Sequence, residues 1–291
     1  MGKVFLRLNE NKLLFAVTKI MLILTVSTLL FRVVLPADFL RIDTTHFFEK
    51  YVNYETLSLS QWLILFWNDN VHALVANLFV IFIVILLIFR FRFTKAENFQ
   101  LSRYTVVIVL SCLVFSVFGY LYMTFYQFSH YGFSWQISIT DFLKQILVIA
   151  LLEELIYRGF IANILFRLKP SGLKILAAVA ISAAIFGFIH IDASIVHFLR
   201  YGFTPPIRNI VEPFFFTAGC GVSWAIVLYY KKDLISIIFI HAANNILSNS
   251  YAYSGRPLLI GVLYVVFFII FIICYPVFLI FKAKKQQQIF G

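Results

Sequence analysis

Adjacent carboxylates interrupt one long apolar stretch, and their spacing suits acid–base chemistry. Glu153 and Glu154 are neighbours, and Arg158 follows Glu154 by four residues. In a helix, Glu154 and Arg158 share a face and can pair, whereas Glu153 is turned about 100° away and lacks that partner. A free carboxylate in a dry site can act as a general base toward water. The other interpretation is a structural Glu–Arg pair near the membrane interface.

Two further polar groups each contain a histidine. Phe186 and His190 are four residues apart and share a helix face at the end of an apolar run. His241 and Asn245 are also four apart, and the two alanines that follow His241 allow close helix packing. Such a His–Asn pair can donate hydrogen bonds to a developing oxyanion or contribute to a metal site. The alternatives are an interfacial histidine at a helix end and an interhelical hydrogen-bond pair.

The composition indicates the environment in which these groups must work. Of the 291 residues, 62% are hydrophobic and only 13% are charged, and the mean hydropathy is +0.92. A soluble domain of this size has about 45–50% apolar and about 25% charged residues. The three cysteines stand singly in apolar runs and are interpreted as small buried hydrophobic residues. The sequence therefore predicts an integral membrane protein.

Apolar runs of sufficient length to cross a bilayer recur along the chain. About 20 apolar residues are needed for one crossing, and the backbone of a spanning segment must satisfy its own hydrogen bonds as a helix. We therefore predict an all-α, polytopic membrane protein with a bundle of about eight transmembrane helices. The run at 234–247 is short and polar at one end. The predicted runs are 13–35, 71–89, 104–125, 142–166, 173–189, 211–230, 234–247 and 258–281.

The distribution of Lys and Arg predicts the orientation of this bundle. With the N-terminus inside and alternating crossings, sixteen of these residues fall on the cytoplasmic side and five on the other side. The prediction is a multi-pass protein of a bacterial plasma membrane with both termini cytoplasmic. The net charge of +11 is then explained by topology and by an anionic inner leaflet, so no nucleic-acid partner is required. The inner set comprises Lys3, Arg7, Lys12, Arg90, Arg92, Lys95, Arg103, Arg158, Arg167, Lys169, Lys174, Lys231, Lys232, Lys282, Lys284 and Lys285, and the outer set Arg41, Lys50, Arg200, Arg208 and Arg256.

Taken together, the three polar groups resemble the motifs of a known family. The CAAX protease and bacteriocin-processing (CPBP) family of intramembrane endopeptidases, also called the Abi family, is marked by EExxxR, FxxxH and HxxxN on successive core helices. All three motifs are complete and in order here, within roughly residues 140–250. We therefore divide the chain into N-terminal transmembrane helices at 1–135, which carry no resemblance we can name, a catalytic core at 136–250, and a last transmembrane helix with a basic tail at 251–291.

The resemblance implies a helical bundle that encloses a polar cavity, with water as the nucleophile. It implies that Glu153 activates this water and that His190 assists it. Glu154 and Arg158 form an ordering pair, or Glu154 supplies a second acidic group. Neither a Ser nor a Cys nucleophile is required by this scheme.

The same resemblance implies that His241 and Asn245 stabilise the tetrahedral oxyanion. An alternative stays open in which Glu153, His190 and His241 hold a divalent metal such as zinc, since three protein ligands plus water form an open catalytic site. The cofactor is therefore either none or a divalent metal. The zincin motif HExxH does not occur in the sequence.

The predicted function is an intramembrane endopeptidase that cleaves a membrane-associated protein or peptide. The alternative is a non-proteolytic membrane scaffold or bacteriocin-immunity protein that binds a peptide or a sensor partner in the same cavity. A transporter is disfavoured because the sequence shows no duplicated pair of Gly/Pro-interrupted segments. The partners expected are the substrate and the lipid bilayer, and the sequence does not say whether the substrate is prenylated.

Overall fold

The described part of the protein is helical. In this computed structural model no strand occurs within the described residues, and one isolated β-bridge joins Phe99 to Asp233. Helices are the expected outcome for apolar runs in a bilayer, because each helix satisfies its own backbone hydrogen bonds. The structure describes residues 101–131, 142–168, 173–190, 207–254 and 256–290, together with scattered positions between 60 and 99.

Among the described residues from 103 onwards there are six helical elements: α1 Arg103–Tyr131, α2 at 145–168, α3 Leu173–Ile189, α4 Arg208–Lys231, α5 Leu234–Tyr253 and α6 at 258–290. Two of them, α2 and α6, contain π-helical stretches. Within α2 these are Gln145–Ala150 and Leu155–Ala162, on either side of the α-helical Leu151–Glu154, and within α6 the stretch is Phe268–Cys274.

Three of the described helices are long and apolar enough to cross a membrane, namely Arg103–Tyr126, Ile210–Lys231 and Leu258–Gln286. This confirms the prediction of an all-α membrane protein. The predicted run 13–35 lies outside the described residues, and only scattered helical positions of the run 71–89 lie within them. The count of eight helices and the division into three regions therefore remain predictions.

Helix α2 lies at the centre of the described bundle. It contacts α3, α4 and α5, while α1 packs along α5 and α3 packs along α4. Every residue of its second π-helical stretch, Leu155–Ala162, is buried. The polar residues of α2 therefore project among neighbouring helices, where a charge needs a protein partner.

A tight turn between α4 and α5 fixes the base of α5. Lys232 ends α4 in the left-handed conformation with φ of 55°, and Asp233 caps α5 by accepting a hydrogen bond from the backbone N–H of Ser236. Asp233 Oδ2 also accepts from the hydroxyls of Ser236, at 2.6 Å, and Thr105 of α1, at 2.7 Å. Because Asp233 is buried, these bonds hold the starts of α1 and α5 together.

Candidate active site

The Glu154–Arg158 pair predicted from the four-residue spacing is present and lies fully inside the protein. Arg158 Nη1 is 3.0 Å from Glu154 Oε1, and both side chains have 0% exposure. The side-chain amide of Asn163 donates to the carbonyls of Arg158 and Gly159, at 3.1 and 2.9 Å. These bonds satisfy backbone acceptors of the π-helical stretch that carries the arginine. The pair is therefore held in a dry, closely packed environment.

Aromatic rings surround the guanidinium group of Arg158. Its Cζ atom lies 4.0 Å from the ring centre of Phe186 and 4.8 Å from that of Trp224. Nε and Nη2 of this arginine have no hydrogen-bond partner among the described residues. A cation over an aromatic face gains electrostatic energy, and the gain increases when the cation is desolvated. The two rings thus stabilise the positive charge of Arg158, in addition to its ion pair with Glu154.

His241 of α5 shares the carboxylate oxygen that Arg158 contacts. His241 Nδ1 lies 2.7 Å from Glu154 Oε1, and the imidazole is stacked on Trp224 with ring centres 4.4 Å apart and an interplanar angle of 28°. The side chain of His241 is 3% exposed. With one nitrogen engaged and one face covered, the imidazole directs Nε2 toward Glu153, whose Oε2 is 3.7 Å away.

His190, at the end of α3, approaches the same carboxylate from another side. Its Nδ1 lies 2.8 Å from the carbonyl oxygen of Phe186, and its Nε2 lies 3.6 Å from Glu153 Oε2. A carbonyl oxygen only accepts, so Nδ1 is the donor and Nε2 of the neutral ring carries the lone pair. The side chains of His190 and Glu153 are both 28% exposed, unlike the closed Glu154–Arg158 pair.

Glu153 Oε2 is therefore the point on which two imidazole nitrogens converge. This oxygen has no hydrogen-bond partner among the described residues. Distances of 3.6 and 3.7 Å are too long for direct hydrogen bonds, and a water molecule can bridge polar groups at such separations. The geometry can hold a small polar molecule between one carboxylate and two imidazoles, and it can move a proton from that molecule to Glu153.

The structure leaves the metal alternative as a prediction. Glu153, His190 and His241 are the candidate ligands, and their facing atoms are Oε2, Nε2 and Nε2. These are ligand atoms that zinc accepts, at about 2.0–2.2 Å. Within the described ranges, however, no three or more His, Cys, Asp or Glu side chains form a group that could hold a metal ion.

Asn245 lies one helical turn after His241, and among the described residues its side-chain amide hydrogen-bonds to Gln145 of α2 and not to either glutamate. Its Nδ2 donates a long hydrogen bond, 3.5 Å, to Oε1 of Gln145. Among the described side chains, Gln145 is the hydrogen-bond partner of the Asn245 amide. Both Gln145 and Asn245 are partly exposed, so the amide is accessible from the polar side of the helix pair.

Sequence analysis missed two contributors to this site. Trp224 stacks on His241 and faces Arg158, yet in the sequence it is one aromatic residue in an apolar run. Gln145 offered a signal, because it is an uncharged polar residue inside the run 142–166. Neither belongs to the three motifs, and the packing of α2, α4 and α5 brings both to the site.

Comparisons with known proteins agree with the motifs. Residues 134–247 match the family model described as Rce1-like, type II CAAX prenyl endopeptidase Rce1-like. The matched range contains all seven motif residues, the whole of α2, α3 and α4, and most of α5. No curated protein and no solved structure matches the chain.

Proposed function

Residues 134–247 belong to the CAAX protease family, and from this premise we propose that the protein hydrolyses a peptide bond with water activated by Glu153. The family supports an intramembrane endopeptidase of the CAAX type that acts on a peptide or protein. The role of each residue is our proposal, and it rests on the site geometry.

The observation that carries the proposal is the convergence of His190 and His241 on Glu153 Oε2. The Nε2 atoms lie 3.6 and 3.7 Å from that oxygen, and neither imidazole is free to turn away. His190 is held by the carbonyl of Phe186, and His241 is held by Glu154 and Trp224. Three hydrogen-bonding atoms facing one point are the arrangement that orients a water molecule.

In the proposed reaction this water is the nucleophile. Glu153 takes one proton, His190 accepts a hydrogen bond from the other O–H, and the water oxygen forms a bond to the scissile carbonyl carbon. Glu153 then returns its proton to the amide nitrogen as the carbon–nitrogen bond breaks. General acid–base catalysis of this kind contributes roughly 10²–10⁴-fold.

His241 and Asn245 stabilise the oxyanion in this scheme. When both nitrogens of His241 are protonated, Nδ1 donates to Glu154 and Nε2 becomes a donor toward the reacting centre. At the oxyanion stage the charges then cancel across the cluster, since Arg158 and His241 are cations, Glu154 and the oxyanion are anions, and Glu153 carries the proton taken from water. A neutral cluster has a smaller desolvation cost than one with a net charge.

The proposal is tested by the substitution Glu153→Gln, which keeps the shape of the side chain and removes its ability to take a proton. Cells that carry the wild-type protein, Glu153→Gln or Glu212→Gln are compared by quantitative peptidomics, with the abundance of each protein measured in parallel. Glu212 is a matched control, because it is an exposed glutamate paired with Arg208 on α4. We expect cleavage products to be lost only in cells that carry Glu153→Gln. The Glu153→Gln protein should be as abundant as the wild type.

A different outcome selects the competing function. If the peptide profile is the same in wild-type and Glu153→Gln cells, the protein is not acting as a Glu153-dependent protease. A scaffold or immunity protein then accounts for the cavity, because binding a peptide does not require a general base.

A further inference from the structure

A second charged cluster lies at the end of the bundle where α1 starts and α4 and α6 reach their basic residues. The ring of Tyr104 is shared by two lysines from different helices: Lys231 Nζ lies 4.8 Å from its centre and Lys282 Nζ lies 5.8 Å from it. All three residues lie outside the candidate active site. The aromatic ring thus gathers two cations that would otherwise repel each other.

Within the described part of the chain, no carboxylate forms an ion pair with either lysine. Asp233 is the nearby acid, adjacent in sequence to the basic pair at the end of α4, but both of its oxygens already accept hydrogen bonds from Thr105 and Ser236. Two lysines lie near this single acid, so the cluster keeps a net positive charge that is available to an outside anion.

The base of this cluster is held in place. Thr105, next to Tyr104, donates to Asp233 Oδ2 at 2.7 Å, and this bond ties the start of α1 to the turn that follows Lys231. The ring of Tyr104 itself is 62% exposed, so an anion can reach it. A rigid base with an accessible face requires little reorganisation when a ligand binds.

We propose that Tyr104, Lys231 and Lys282 form a binding site for the phosphate of an anionic phospholipid headgroup. The three residues lie at the ends of apolar helices, at the depth where headgroups occur, and all belong to the side that the charge distribution places in the cytoplasm. Basic pockets between transmembrane helices on that side suit anionic headgroups. The acyl chains lie along the exposed apolar faces beside the site, which include Val107 and Phe278.

The experiment measures lipid binding to the full-length protein in detergent by native mass spectrometry. Phosphatidylglycerol is compared with phosphatidylcholine of the same acyl chains, and inorganic phosphate is a third arm. Lys231→Gln/Lys282→Gln is compared with Lys284→Gln/Lys285→Gln, which removes the same charge from the same end without touching Tyr104. Salt is kept at about 0.3 M so that the general attraction of a basic surface is screened.

We expect phosphatidylglycerol to bind at least tenfold more weakly to the Lys231/Lys282 variant than to the Lys284/Lys285 variant. Phosphatidylcholine should show no such difference, and free phosphate should not displace the lipid. Equal loss in both variants, or no preference for the anionic lipid, would overturn the proposal. Binding of phosphate alone with the affinity of the lipid would also overturn it, since the site would then be a simple anion site.

Substitutions of Tyr104 provide an independent check, because they change the side chain between the two lysines and leave every charged residue in place. Tyr104→Phe keeps the aromatic face and should bind phosphatidylglycerol as the wild type does. Tyr104→Leu should lose the preference for the anionic lipid, because nothing then gathers the two lysines. Equal binding by the two variants would contradict the role assigned to the ring, whatever the result for the lysine variants.

Discussion

His241 and Arg158 contact the same oxygen of one carboxylate, Oε1 of Glu154, at 2.7 and 3.0 Å. The second oxygen of that carboxylate has no hydrogen-bond partner among the described residues. Glu154 therefore connects the buried arginine of α2 to the histidine of α5, and it couples the stability of the core to the orientation of a proposed catalytic group. Removing either the Arg158 or the His241 side chain should therefore affect both stability and that orientation.

The first prediction separates these two consequences at Arg158. Arg158→Met keeps the volume but leaves Glu154 with one cation fewer in a fully buried position. Breaking a buried pair in this way costs about 3–5 kcal/mol, so we expect lower abundance in the membrane together with lost activity. Immunoblotting of the membrane fraction and peptide cleavage measure the two effects.

The double variant Glu154→Gln/Arg158→Met and a surface pair are the controls. The double variant removes both charges, so abundance should recover at least in part while activity stays low. Arg208→Met disrupts an exposed Arg208–Glu212 ion pair and should change neither quantity appreciably. Normal abundance of Arg158→Met would show that the buried pair does not contribute to stability.

The second prediction concerns Gly221, whose lack of a side chain leaves room for the guanidinium group of Arg158. A Cβ atom on Gly221 of α4 would lie 3.1 Å from Ala183 Cα and 3.2 Å from Arg158 Nη2. Gly221→Ala should therefore shift α3 or the guanidinium and lower stability by about 1–3 kcal/mol, the usual effect of overpacking. Thermal unfolding in detergent measures it.

Gly219 is the matched control on the same helix. A Cβ atom there meets nothing within 4 Å among the described residues, so Gly219→Ala should leave the unfolding temperature unchanged or raise it slightly. Equal effects of the two substitutions would mean that the close approach of α3 and α4 at Gly221 is not required.

The sequence predicted the parts of the site that depend on local spacing. The Glu154–Arg158 pair follows from the four-residue repeat of a helix, and the catalytic roles of the motif residues remain predictions. Sequence analysis placed Glu153 within one long apolar stretch and His190 at the end of another, and it did not predict that the structure brings them to 3.6 Å. Helix tilt and the π-helical turns of α2 are set by packing between helices, which local periodicity does not encode.

Local sequence patterns also did not predict the contacts between distant segments. The bond from His241 to Glu154 spans 87 positions, and the stacking of Trp224 on His241 depends on how α4 meets α5. The membrane class, in contrast, follows directly from composition, and the long apolar helices agree with it.

The third prediction is the topology. The sixteen-to-five distribution of Lys and Arg places residues 92–95 and the tail at 282–285 in the cytoplasm, and residues 43–55 on the opposite side. Labelling of single cysteines introduced at residues 50, 92 and 284 in intact cells should modify only the first of these. Finding residues 50 and 92 on the same side would exclude the predicted orientation and the predicted number of helices before α1.

The fourth prediction assigns a role to Asn245. If its amide donates to the oxyanion, Asn245→Ala should lower turnover by about 10²–10³-fold with little change in substrate binding. Gln145 contacts the same amide at 3.5 Å and serves as the comparison. Gln145→Ala should have the smaller effect, because it removes a group that orients the donor and leaves the donor in place. An unchanged kcat in Asn245→Ala would remove this residue from the mechanism.

The last prediction distinguishes oxyanion donors from a metal site. With His241 and Asn245 as fixed donors, the charge on the tetrahedral intermediate needs no cation, so we expect activity to survive thorough chelation. An asparagine one turn after the histidine also suits hydrogen-bond donation better than metal ligation. Should Glu153, His190 and His241 instead hold zinc, chelation would abolish activity and added metal would restore it. Metal analysis of the purified protein provides the direct readout: a stoichiometric metal in the wild type, lost in both His190→Ala and His241→Ala, would replace the oxyanion scheme with metal catalysis.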